Sequence, residues 1–134
     1  MNAADVLSEA RTVLLEGGWM QGTSGPVTDR TCAHCLFGAI ATASWELCEK
    51  HGYRDLSIES ELRVERFVIE ALTEHGLLVT LPPDDINARS HFGLITTSND
   101  RLVQSKEQAI AVLDTAVRLA TAAERRDELI GSIR

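Results

Sequence analysis

Cys35-Leu36-Phe37-Gly38-Ala39-Ile40-Ala41-Thr42-Ala43-Ser44-Trp45 is apolar and built largely from small residues. Its length and composition suit a helix better than a strand, and its small side chains allow close approach by neighbours on more than one side. The stretch is therefore expected to be the buried central helix of an all-α domain. Thr31 is the expected cap, and the helix is expected to run over residues 32–50 and to stop at His51-Gly52.

Upstream, Val6, Ala10, Val13 and Gly17 fall on one helical face, and Leu7 and Leu14 widen it. This predicts a first helix over 3–16, ended by Gly17-Gly18, because glycine readily takes the left-handed conformation after a helix. From Trp19 to Thr31 no apolar period survives and turn formers dominate, so the segment reads as a loop. Downstream, Ser57, Ser60 and Glu61 suggest a helix start. Leu62, Val64, Phe67, Val68, Ala71 and Leu72 then mark a helix over 58–75, stopped by Gly76. Leu77-Leu78-Val79-Thr80-Leu81 reads as an extended apolar run or a short strand, since Pro82 disfavours helix at the residue before it. Residues 77–104 as a whole read as a long irregular segment. Ser105-Lys106-Glu107-Gln108 is a capping box. It opens a last helix over 106–130, in which two apolar rows combine into a broad buried stripe. The expected architecture is one compact domain, 1–134, with four main helices.

The 134-residue chain can bury a sizeable single core. Its 44% apolar and 25% charged contents are those of an ordinary soluble protein. No run approaches the ~20 apolar residues that span a bilayer, and no secretory signal is visible at Met1-Asn2-Ala3-Ala4-Asp5. No membrane association and a cytoplasmic location are therefore expected. The net charge is −7. Residues 1–50 carry 3 positive and 6 negative charges, residues 51–100 carry 4 and 9, and residues 101–134 carry 6 and 5. Nucleic-acid binding needs a surplus of Lys and Arg to neutralise phosphates, and this chain lacks one. Three cysteines without a signal read as reduced thiols.

Several residues invite a chemical reading. Cys32, Cys35, Cys48 and His51 spell C-x2-C-x12-C-x2-H, a zinc-like pattern. A helix between the two pairs would hold them ~20 Å apart, so no metal is expected and zinc through these four residues runs second. Cys35 as a thiol nucleophile lacks a base, because His34 points elsewhere from an adjacent helical position. His75 and His91 remain as remote partners. Trp19 reads either as a ligand-stacking residue or as an anchor over the core. Asn99-Asp100 reads first as a turn ahead of the last helix, and Asp84-Asp85 reads the same way. Together, Trp19, Gln21, Asn99 and Asp100 form the candidate ligand-binding set. No phosphate loop or nucleophile elbow is present, so there is no catalytic residue to name and no cofactor to expect.

Gly18-Trp19-x-Gln21-Gly22, Cys35-x-x-Gly38-Ala39-Ile40-x-x-Ala43, Ser98-Asn99-Asp100 and Gln108-Ala109-Ile110-Ala111-Val112-Leu113-Asp114-x-Ala116 carry a resemblance. The chain resembles a family of small uncharacterised proteins, a domain of unknown function, of actinobacteria and their phages. The family usually has Trp before its Asn-Asp pair, where Ser98 stands here, and a more acidic entry to the last helix than Lys106-Glu107-Gln108. The resemblance implies a source and a common fold, and it brings no activity with it. In packing terms, Cys35, Gly38, Ala39 and Ala43 are structural residues, small where helices would meet, and Trp19 fills the space they leave.

The functional expectation is a non-enzymatic protein-interaction module with an unidentified protein partner, phage-encoded modulation of a bacterial host protein being one form of it. The alternative is a small-molecule or nucleotide-related binder or enzyme, with a pocket between loops 17–31 and 77–104. The apolar circumference of the last helix leaves a homodimer open.

Overall fold

A computed structural model describes residues 2–22, 24–52 and 58–133, with side chains for 2–22, 24–52 and 61–132. Among these the fold is all-α, with five helices: α1 (Ala3–Gly17), α2 (Leu36–His51), α3 (Ile58–Glu74), α4 (His91–Arg101) and α5 (Lys106–Ile133). A 3-10 turn, Ile86–Arg89, precedes α4.

α1 begins in a reciprocal cap. Asn2 Oδ1 accepts from the Asp5 N–H at 2.9 Å, and Asp5 Oδ2 accepts from the Asn2 N–H at 3.0 Å. The predicted stripe of Val6, Leu7, Ala10, Val13 and Leu14 is fully buried. α1, rather than the Cys35–Trp45 stretch, is the central element. It packs against α2, α3 and α5, whereas α2 packs chiefly on α1 and α4. Side-chain size differs between the two: α1 buries Val6, Leu7, Val13 and Leu14 along one face, whereas α2 buries Gly38, Ala39 and Ala43 beside Leu36 and Ile40.

α2 starts four residues later than expected, and Cys35, not Thr31, is its cap. Cys35 Sγ accepts from the Gly38 N–H at 3.3 Å. Residues 32–34 are held outside the helix because the His34 backbone pairs with the other side of the loop. The His34 N–H donates to Gly18 O and the Met20 N–H donates to His34 O, both at 3.1 Å. Ser57, expected to start α3, lies outside the described residues.

The largest departure is at 77–104. Leu77 and Leu78 pack on the core without forming a strand. The segment then forms the 3-10 turn and α4, so it is not irregular throughout. α4 is capped by Ser90, whose Oγ accepts from the Gly93 N–H at 2.9 Å. Gly93 lies so close to the Asn87 backbone that an added Cβ would sit 2.6 Å from Asn87 Cα. Asn99-Asp100 therefore closes a helix and does not form a turn ahead of one. The α5 entry uses Ser105, whose Oγ accepts from the Gln108 N–H at 3.1 Å. Gln108 Oε1 accepts from the Gln104 N–H at 2.7 Å, one residue earlier than a regular capping box.

Candidate functional site

The structure brings the four nominated polar residues together. Asn99, near the end of α4, is wholly buried. Its Oδ1 accepts from Trp19 Nε1–H at 2.7 Å and from the Leu36 N–H at 3.1 Å. Its Nδ2 donates to Met20 O at 3.1 Å and to Asp100 Oδ1 at 3.2 Å. An amide side chain has two acceptor and two donor positions, and Asn99 uses all four. Gln21 Nε2 donates to Val103 O at 2.8 Å, and Asp100 Oδ1 accepts from the Gly22 N–H at 2.7 Å. One side chain thus joins the 18–22 loop, the end of α4 and the start of α2. The polar groups that would recognise a ligand are engaged with one another and with backbone. Neither a concavity between α2 and α3 nor one beside α1 has any of the four in its lining.

A second polar cluster, not foreseen from the sequence, closes the same loop onto α2. Ser24 Oγ lies 2.8 Å from His34 Nδ1, and His34 Nε2 lies 2.9 Å from Asp29 O. A carbonyl oxygen only accepts, so Nε2 carries the proton. In the neutral ring Nδ1 then accepts from the Ser24 hydroxyl. Ser24 Oγ also accepts from the Cys35 N–H at 3.3 Å. This is the hydrogen bond of a nucleophile and its base, but the His34 ring is 0% exposed. A base that must hand its proton to a leaving group needs contact with that group. The pair acts as a clasp, and Gly38 is small because Ser24 and His34 sit over it. A Cβ there would overlap Ser24 Oγ and lie 2.7 Å from Ser24 Cβ. The small side chain at 38 accommodates this loop, not Trp19.

Arg30 forms a third junction. Its Nη1 reaches Glu9 and Glu46, each at 2.8 Å, and its Nη2 reaches Glu16 at 3.1 Å. Burial works against its charge, but the Glu9 hydrogen bond and the Glu46, Glu9 and Glu16 carboxylates outweigh it and raise its pKa.

The cysteines stand apart. Cys35 and Cys48 are buried near opposite ends of α2, and Cys32 is half-buried, its Sγ 3.3 Å from Asp29 Oδ2. That hydrogen bond, burial and the Asp29 charge all raise the Cys32 thiol pKa. The opposite holds for Asp29, whose pKa is lowered by the Thr31 and Cys32 hydrogen bonds. Among the described residues no three His, Cys, Asp or Glu side chains stand close enough to hold one metal ion. His75 meets Thr115 at 2.7 Å and His91 meets Glu65 at 3.3 Å, so the contacts of both rings lie away from Cys35.

What the sequence did not single out is a groove between α2 and α3. Its volume is about 420 Å³, and its lining includes Phe37, Ile40, Ala41, Trp45, Val64 and Val27. Phe37 is braced at one side by Phe92, edge to face, with ring centroids 4.9 Å apart. Glu61 and Glu65 also line it, and among the described residues the lining has no Lys or Arg. The two glutamates are four residues apart on α3 and therefore share a face. The apolar set of the α3 wall and the apolar composition of the α2 wall were legible, but the gap between them depends on how the helices splay.

The match to a family model covers residues 1–119. The chain belongs to DUF6197, a family of unknown function. No curated protein matches it, and no solved structure does. The DUF6197 match contains the whole Asn99 network, the Ser24–His34 clasp and the groove. It stops within α5, so Ala120 onward lies outside it. Among the described residues no helix is long and apolar enough to cross a membrane.

Proposed function

We propose that this DUF6197 protein is a non-enzymatic protein-interaction module that works through the α2–α3 groove. The observation that carries the reading is the groove itself, with an apolar floor and a carboxylate pair on one wall. Solvent-facing apolar concavities of this kind mark binding sites more often than chance surface does. The polar clusters elsewhere support the same reading, because their hydrogen bonds are spent on holding loops to helices. Membership of a family from actinobacteria and their phages is part of this proposal. A phage-encoded modulator of a host protein is one form such a module takes.

The test is site-specific photo-crosslinking in cells. A benzoylphenylalanine replacing Ala41, in the groove, is expected to give a discrete protein adduct. The same group replacing the exposed Glu107, at the far end of α5, is expected to give none. Equal labelling from both positions, or none from Ala41, refutes the reading.

A further inference from the structure

The groove is walled mainly by α2 and α3, with Val27 of the preceding loop at its rim, and the described residues offer no strand edge beside it. A helix satisfies its own backbone groups and suits a groove between two helices. The lining also specifies that helix's side chains: apolar groups for Phe37, Ile40 and Val64, and cations for Glu61 and Glu65.

This chain itself carries such a helix. Arg125, Arg126, Leu129 and Ile130, near the end of α5, are all exposed. Leu129 is 64% exposed and Ile130 49%, high values for large aliphatic side chains. At ~100° per residue, Arg125 and Leu129 form one i, i+4 pair, and Arg126 and Ile130 form the adjacent one. Two cations and two apolar groups therefore share one face. Asp127 lies off that face and meets Arg63 of α3 at 3.2 Å. Glu124 likewise turns inward and accepts from the Ala4 N–H at 3.2 Å. These two contacts hold the end of α5 against α1 and against a different face of α3 from the one that lines the groove. The helix end therefore does not fill its own molecule's groove.

We infer that the α2–α3 groove receives the Arg125–Ile130 face of α5 from a second copy of the chain. This rests on the reading of the groove as a protein-binding site. Both parts lie near the start of α3, and a reciprocal exchange between two copies would close the pair. Arg125 and Arg126 meet Glu61 and Glu65, and Leu129 and Ile130 cover the apolar floor.

Sedimentation equilibrium on the full chain tests this with paired charge reversals, the fold being checked by circular dichroism. The wild type is expected to dimerise, more weakly as salt screens the pairs. E61K/E65K alone and R125E/R126E alone are each expected to dimerise at least about tenfold more weakly. An equimolar mixture of the two folded variants is expected to re-form the dimer, because each groove then meets an opposite charge. A monomeric wild type, a dimer that survives either reversal, or a mixture that stays monomeric overturns the inference. The two readings separate cleanly. A monomer whose groove still yields an Ala41 adduct with another protein removes self-association and leaves the module. A monomer without that adduct removes both.

Discussion

Replacing Asn99 by alanine tests the account of the polar lock most directly. The substitution removes four hydrogen bonds at once, to Trp19 Nε1, Leu36 N, Met20 O and Asp100 Oδ1. Asp100 keeps its bond to the Gly22 N–H and is exposed, so it loses little. The Leu36 N–H is the costly orphan, because it lies in the buried first turn of α2. A buried polar group left without a partner costs ~1–3 kcal/mol. With Leu36 N and Met20 O each partly rescued by water, and Trp19 free to turn, Asn99→Ala is expected to destabilise the fold by about 3–5 kcal/mol. Asn99→Asp is the control for shape. It keeps both acceptor contacts but can no longer donate, and it sets a second carboxylate beside Asp100. Burial and that neighbouring charge raise the folded-state pKa of the new carboxyl above its unfolded value. The stability lost by Asn99→Asp is therefore recovered as pH falls through that raised pKa, and it is lost again as pH rises. Urea titration followed by Trp fluorescence reads both effects. A cost below about 1 kcal/mol for Asn99→Ala, or an Asn99→Asp deficit that is flat with pH, would refute the argument.

Other outcomes follow from single contacts. Gly38→Ala forces a Cβ into Ser24, so a loss of about 1–3 kcal/mol is expected in urea, largely relieved in the Ser24→Gly background. Thr42 Oγ1 is buried without a hydrogen-bond partner among the described residues. Thr42→Val is expected to raise stability by about 1 kcal/mol, seen as a higher urea midpoint at unchanged slope. Arg30→Ala leaves Glu9, Glu16 and Glu46 facing an empty centre. Because the pairs are partly exposed, a modest loss of about 1–2 kcal/mol is expected, shrinking at high salt. The Asp29 carboxyl has a folded pKa below its unfolded value. Its stabilisation is complete above the unfolded pKa and disappears as pH falls through the folded one. Asp29→Asn should therefore flatten the acid side of the stability profile. It should also speed the reaction of Cys32 with a disulfide reagent near pH 8, because the thiol's raised pKa depends on Asp29.

Much of the scaffold was legible because it follows from side-chain period. Val6 to Leu14, Val64 to Leu72 and Ala109 to Ala120 repeat at helical spacing, and the same residues are buried. The start of α2 was misplaced because Cys32 to His34 fit a helix by composition while the His34 backbone is bonded to Gly18 and Met20 across the loop. α4 was missed for a related reason. Thr96, Thr97, Ser98, Asn99 and Asp100 are poor helix formers whose side chains compete for backbone groups. Here Ser98 and Asn99 are engaged elsewhere: Ser98 Oγ accepts from the Val79 N–H at 2.9 Å, and Asn99 bonds three segments. The four residues of the candidate polar set do lie together, yet their bonding was invisible in the sequence, since residues about eighty positions apart must first be folded together.

By itself, the sequence determined that the chain is helical, where three of its helices lie and which of their faces are apolar. These follow from local period and from glycine and serine at helix ends, and need no partner. Tertiary structure alone decided that α1 is central, that 91–101 is a helix, that Asn99 is a junction and that α2 and α3 leave a groove between them. Each of those depends on how helices of unequal bulk settle against one another. Small residues permit close approach, but only the packed arrangement shows which neighbour takes the space.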